Sequence, residues 1–135
     1  MTQIDNIDNI SPVSILAMDD KELCRILGTP SFKGINKLGD TVLLFDNTGI
    51  SVTIEETETK NKVKSVRIMA PFSKEVTRNL YIGDSKEKVL KSIGKPLREK
   101  IKISEGFIIW YYWEMFISFE IENPDYIFGI TLYNS

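Results

Sequence analysis

The chain repeats one pattern of residues, and this repetition restricts its fold more than any other feature of the sequence. Around the ends of two predicted helices, four pairs of similar residues are each 66 positions apart: Leu23 and Val89, Leu27 and Ile93, Gly28 and Gly94, and Pro30 and Pro96. Further along, the alternating apolar positions of 50–54 match those of 117–121 when one residue is added at a turn. The shared order of buried and exposed positions indicates an internal duplication.

The first copy predicts one helix and three strands. Asp19 or Asp20 opens the helix, since Glu22 completes a capping-box pattern with Asp19. Gly28 and Pro30 end it. Apolar runs and turn residues then predict strands at 41–45, 50–55 and 64–69.

The second copy predicts the same elements between Ile82 and Leu132. The predicted fold class is therefore α+β, with two tandem helix-plus-three-strand antiparallel meander repeats that form one sheet with helices on one face. We expect one compact domain with a flexible N-terminal arm at 1–13, a first repeat at 14–70, a connector at 71–81 and a second repeat at 82–135.

Composition limits the location and the kinds of site. The chain has 135 residues, one cysteine (Cys24) and no histidine, which excludes an intramolecular disulfide and argues against a zinc site. Its N-terminus has no basic start, and no 18 apolar residues follow one another. We therefore expect a cytoplasmic protein that needs neither a membrane nor a cofactor.

The charges are unevenly distributed behind a net charge of −2. Basic residues dominate from Lys86 to Lys102, whereas only acidic charges follow Lys102. This pattern predicts a basic helix and loop beside an acidic sheet, although a basic helix face is also what plain solvation produces. An acidic sheet would attract a basic partner.

The residues argue against catalysis. Without histidine, a Ser-His or Cys-His pair is impossible. Glu120 and Glu122 share a predicted wet strand face, where carboxylates are usually solvated. The basic cluster would suit nucleic acid, but the acidic balance and the missing motif argue against direct binding. The sequence therefore predicts a protein that is not an enzyme.

The second hairpin gives the clearest functional hint. Where the first copy turns through Asp46–Gly49, the second has Tyr112, Trp113, Glu114 and Met115, which are poor turn formers. Exposed Trp and Tyr often anchor interfaces, although Trp113 would also fit into the junction between the copies. With the outward positions of the neighbouring strands, the candidate partner-binding residues are Tyr112, Trp113, Glu114, Ser118, Glu120, Glu122 and Tyr133.

A resemblance to a known family adds a second argument. The run Ile82-Gly83-Asp84-Ser85, followed by Val89, Gly94 and Pro96, then Trp110-Tyr111-Tyr112, Ile117-Ser118-Phe119 and Gly129-Ile130, resembles the SmpA/OmlA outer-membrane assembly lipoproteins. The tandem arrangement is similar to that of the β-lactamase inhibitor proteins, which grip a target with a concave sheet face. The resemblance implies protein binding without catalysis. The sequence departs from the lipoproteins because it has no lipoprotein signal with an acylated cysteine.

These observations together predict a cytosolic, non-catalytic immunity protein that neutralises a cognate bacterial toxin by covering its active surface. The expected partner is basic, for example a nuclease, and the chain itself is expected to be a monomer or a weak homodimer. The alternative is an assembly or ligand-binding module of the SmpA/OmlA-like fold. An enzyme is the third possibility.

Overall fold

The computed structural model describes residues 11–56, 61–122 and 125–134. The helices are α1 (Pro12–Ile15), α2 (Asp20–Leu27) and α3 (Lys86–Ile93), with two short 3-10 turns at Ile103–Glu105 and Trp113–Met115. The strands are β1 (Phe32–Ile35), β2 (Thr41–Phe45), β3 (Ile50–Glu56), β4 (Asn61–Met69), β5 (Arg98–Lys102), β6 (Phe107–Tyr112), β7 (Ile117–Glu122) and β8 (Tyr126–Tyr133). Most of the predicted N-terminal arm lies outside the described residues, and its last positions begin α1.

All eight strands belong to one antiparallel sheet in the order β1-β2-β3-β4-β8-β7-β6-β5. The first four strands follow α2 and the last four follow α3. The two groups meet where β4 pairs with β8, with Ile68 opposite Ile130 and Arg67 opposite Thr131. Strands β1 and β5 consequently form the two outer edges of the sheet.

The predicted fold of two helix-plus-three-strand repeats with helices on one face is wrong. The structure is mostly one continuous eight-stranded sheet with a few short helices, and four strands follow each longer helix. The two unpredicted strands are β1 and β5, which lie at the edges and bury almost no side chains. An edge strand of this kind lacks the hydrophobic alternation by which strands are recognised.

The two longer helices begin and end at specific residues. Asp19 caps α2 by accepting a 2.9 Å hydrogen bond from the Glu22 N–H, as the capping-box pattern predicted. Ser85 caps α3 in the same way through the Lys88 N–H at 3.2 Å. A glycine at positive φ follows each helix. None of the helices in the described ranges is both long and apolar enough to cross a membrane.

One hydrophobic core lies against one face of the sheet, here called the inner face. The helices contribute Leu23 and Val89, and the segment between the two halves contributes Phe72, Val76 and Leu80. The sheet contributes the alternate side chains of its central strands, and Phe119 at the middle of β7 is fully buried. The other face, here called the outer face, carries the intervening side chains of the same strands.

The turn between β2 and β3 requires glycine for two reasons. Gly49 has φ +78°, and an added Cβ atom would collide with the carbonyl oxygen of Met69. Gly39 has a similar φ of +87°, but an added Cβ atom there would meet nothing within 4 Å. A substitution at Gly39 therefore measures the conformational cost of positive φ alone, whereas one at Gly49 adds the steric cost of the close approach.

We expect Gly39→Ala to lower the free energy of unfolding by about 1 kcal/mol, through its positive φ alone. Gly49→Ala should lower it by roughly 3 kcal/mol or more, because the β3–β4 pairing must also shift. Urea unfolding followed by circular dichroism measures both values. Equal losses in the two variants would contradict the close approach at Gly49.

Candidate functional site

Three aromatic side chains lie together on the outer face. Tyr111 and Trp113 stack with ring centroids 4.6 Å apart and an interplanar angle of 22°. Tyr133 meets the other side of this pair, with its ring edge-on to Trp113 at 5.5 Å. We call Tyr111, Trp113 and Tyr133 the outer aromatic cluster. Trp113 remains 42% exposed, so the cluster presents an apolar surface to solvent.

The hairpin between β6 and β7 closes through a 3-10 turn, although its residues are poor turn formers. Residues Trp113–Met115 form a 3-10 turn, and Phe116 ends it with φ +57°. The Phe116 N–H donates to the Trp113 carbonyl oxygen at 3.2 Å, while its own carbonyl accepts from the Tyr133 N–H at 2.9 Å. Its side chain is 44% exposed. A bulky residue rarely adopts this backbone conformation, so this turn is locally strained.

Ser118 lies beneath the cluster and supports it. Its side chain is only 3% exposed although it is on the outer face, and its hydroxyl is hydrogen-bonded to the Tyr133 hydroxyl at 2.9 Å. Burial raises the pKa of Tyr133, against a smaller lowering effect from the Ser118 hydrogen bond. Ser118 therefore positions Tyr133 and has little surface of its own for a partner.

Glu120 has a partner within the sheet. Its Oε1 atom accepts a 2.6 Å charge-assisted hydrogen bond from the Arg67 Nε. Gly129 lies directly opposite Glu120, and a side chain there would collide with this carboxylate. Arg67 also donates through Nη1 to the Met69 sulfur at 2.8 Å. The Glu120 charge is thus compensated, and Glu120→Lys would place two cations side by side.

The outer face is less acidic than predicted, because β5 contributes basic side chains to it. Arg98, Lys100 and Lys102 alternate along β5 opposite Tyr111, Ile109 and Phe107. The sequence predicted basic residues in the helix and loop and acidic residues in the sheet, but β5 adds basic residues to the sheet. The reason for this error is that edge strand β5 was not recognised and its charges were assigned to a loop.

Tyr112 and the remaining two acidic residues lie away from the outer aromatic cluster. Tyr112 is 4% exposed and points into the core, where its ring meets Phe119 edge-on at 5.6 Å. Its hydroxyl donates to the Gly94 carbonyl oxygen at 2.8 Å. Glu114 is exposed and lines a small cleft with residues of 93–97. Glu122 pairs with Phe107, about 13 Å along β7 from Ser118.

The structure therefore brings together only part of the predicted set. Trp113, Ser118 and Tyr133 form one group with Glu120 beside it, whereas Tyr112, Glu114 and Glu122 do not join them. Sequence reasoning missed Tyr111 and Arg67 as members of this site. Tyr111 could have been found from its alternation with Trp113, but the Arg67 contact depends on the β4–β8 pairing, which joins distant parts of the chain.

The described residues offer no arrangement typical of a metal centre. Within 11–56, 61–122 and 125–134, no three cysteine or acidic side chains come together as metal ligands would. The site consists instead of rings, one ion pair and hydroxyl groups, which are suited to binding a surface.

Comparison with known proteins concerns the fold. No family model and no curated protein matches the chain. Among solved structures, the chain is similar to a DUF4309 family protein, YjgB, from Bacillus subtilis, with a TM-score of 0.57 and 13% sequence identity. The similarity covers 87% of this chain and 78% of that one. At this level of identity, it shows a shared fold and nothing further.

The buried Tyr112 predicts how stability depends on alkaline pH. Burial raises the pKa of Tyr112 to about 12, from its ordinary value of 10.0. Between these values the unfolded chain loses the hydroxyl proton while the folded chain retains it. Stability should therefore fall as pH rises from 10 to 12, with this tyrosine contributing at most about 1.4 kcal/mol per pH unit.

We expect Tyr112→Phe to remove this contribution, so that the variant loses less stability than the wild type between pH 8 and pH 11. At pH 8 it should be about 1 kcal/mol less stable, because the hydrogen bond to Gly94 is gone. Urea unfolding at the two pH values tests both statements. An unchanged alkaline loss would contradict the burial of this hydroxyl.

Proposed function

We propose that this chain is a non-catalytic protein-binding protein that holds its target against the outer face of the sheet, around the outer aromatic cluster. In its most specific form, the proposal is a cytoplasmic immunity protein that neutralises a toxin by covering the toxin's active surface. The observation that carries the proposal is the exposed Trp113, stacked on one tyrosine and in edge contact with another.

The chemistry of the cluster supports an interface. Tryptophan and tyrosine dominate the energetics of protein interfaces because they bury a large area at a small cost in side-chain entropy. Here the rings already contact one another, and Tyr133 is also fixed by its hydrogen bond to Ser118. Little conformational freedom would be lost on binding, so contact area translates efficiently into affinity.

The nature of the surface supports protein over small-molecule binding. Trp113 and Phe116 are both substantially exposed at neighbouring positions of one hairpin tip. A small-molecule site usually encloses its ligand, whereas exposed aromatic side chains beside a polar sheet are typical of a protein interface.

The charges of the outer face give limited support to a strongly basic target. Glu120 is already paired with Arg67, and the β5 side chains on this face are basic. Glu114 and Glu122 would therefore have to attract a basic toxin, and these two residues lie apart from each other. We therefore assign the affinity to the outer aromatic cluster and treat charge as a contribution to partner selection.

A binding experiment with one matched control tests this proposal. The tagged chain is used to co-purify a partner from native cell extract, and affinity for the identified protein is measured by calorimetry. We expect Trp113→Ala to weaken binding by roughly 30-fold or more, which corresponds to about 2 kcal/mol. The toxicity of the partner should be suppressed by the wild type and not by this variant.

Tyr126→Ala serves as the control, because Tyr126 is 52% exposed and pairs with Glu122, away from the cluster. Its affinity should equal that of the wild type, and thermal unfolding should show both variants folded. A partner that binds Trp113→Ala normally would contradict the assigned surface. A stoichiometric partner without toxicity would leave an assembly role and exclude the immunity function.

A further inference from the structure

A cleft of about 330 Å³ opens next to the outer aromatic cluster. Four stretches of the described chain line it: α1 with the residue after it, positions 77–78, the hairpin tip with the start of β7, and the end of β8 with Asn134. Its lining is Val13, Leu16, Thr77, Arg78, Met115, Phe116, Ile117, Leu132, Tyr133 and Asn134. Tyr133 belongs to both the cleft and the cluster, so the two surfaces share one residue.

Six of the ten lining residues of the cleft are apolar, three are polar and uncharged, and one is a cation. Among the described residues that line it, Arg78 alone carries a charge, and no acidic side chain lies among them. Arg78 is exposed and forms no ion pair with any described residue. Glu75, the acidic residue nearest to Arg78 in the sequence, accepts a 2.7 Å hydrogen bond from the Asn79 N–H. The guanidinium group therefore remains available to an external carboxylate.

The backbone holds Arg78 at this position in a strained conformation. Arg78 and Asn79 have φ values of +50° and +62°, and the Leu80 N–H donates to the Thr77 carbonyl oxygen at 2.8 Å. A tight turn with two such residues favours asparagine or glycine, so Asn79 fits it well and Arg78 does not. The turn itself gives no reason for an arginine at this position.

A second strained residue lines the same cleft. Only three residues other than glycine have positive φ in the described part of the chain, and two of them, Arg78 and Phe116, line this cleft. Backbone strain is concentrated at binding sites because surrounding contacts maintain it there. Phe116 is also 44% exposed, which provides an apolar wall for an occupant.

We propose that this cleft receives an apolar side chain of the protein partner and that Arg78 binds a carboxylate beside that side chain. This inference rests on the proposed function and specifies its partner: the contact segment carries an aliphatic or aromatic anchor next to an aspartate or glutamate. The volume is at the lower limit of small-molecule pockets and suits an anchoring side chain. The sign of the charge follows from Arg78, since a basic contact at this position would meet a cation that has no ion-pair partner among the described residues.

The experiment uses the full chain and the partner identified by co-purification. Arg78→Asn removes the charge and keeps a residue that tolerates positive φ, so the variant should fold with an unchanged or higher melting temperature. We expect its affinity for the partner to fall at least tenfold. Arg78→Glu should weaken binding further, and replacing the partner's contacting acidic residue by arginine should restore it.

Salt provides an independent readout. The affinity of the wild type should decrease as the salt concentration rises, and Arg78→Asn should reduce this dependence, because a charge-pair contribution is screened. Lys74→Asn is the matched control, since Lys74 is exposed in the same connector and lies outside the cleft lining. It should bind as the wild type does.

The outcomes separate the two proposals. If Trp113→Ala weakens binding while Arg78→Asn binds normally, the protein-binding function stands and the cleft assignment is overturned. If Arg78→Glu weakens binding but no acidic-to-arginine change in the partner restores it, the carboxylate contact is overturned. If the wild type binds no partner at all, the proposed function fails and the cleft assignment fails with it.

Discussion

The pairing of β4 with β8 is the interaction on which the rest of the structure depends. It joins the four strands that follow α2 to the four that follow α3, and it makes one sheet out of two groups that each leave an open edge. On the inner face it brings Ile68 opposite Ile130, both fully buried, so that a single core results. On the outer face it places Arg67 within reach of Glu120.

The same pairing contributes to the order of the outer face, which no described helix covers. Isolated polar side chains on a sheet would be mobile, but here Arg67 is held by Glu120, and Tyr133 by Ser118. The Arg67–Glu120 contact joins β4 to β7 and therefore requires the joined sheet, whereas the Ser118–Tyr133 contact lies within the second group of strands. The outer aromatic cluster also lies within the second group, because its three rings come from β6, the hairpin tip and β8.

The sequence predicted those features that depend on neighbouring residues. It did not predict the exposed edge strands or the contacts between distant parts of the chain. The Asp19 cap and the alternation of 50–54 were predictable because they depend on neighbouring residues. Edge strand β5 was missed because its exposed, charged side chains are typical of a loop. In the site, Trp113 was identified from its residue type and Tyr133 from its outward strand position. Tyr112 was misplaced because it was assigned to the hairpin turn, whereas it ends β6 and points inward by the alternation of that strand.

That turn links the proposed anchor and the proposed cleft physically. The turn contains Trp113, which belongs to the outer aromatic cluster, and Met115 and the terminating Phe116, which line the cleft. A regular two-residue turn of asparagine and glycine would close the hairpin at lower conformational cost, but it would remove both apolar surfaces. The strain at Phe116 is therefore consistent with a surface shaped by binding, and partner contacts on either side of this turn should be energetically coupled.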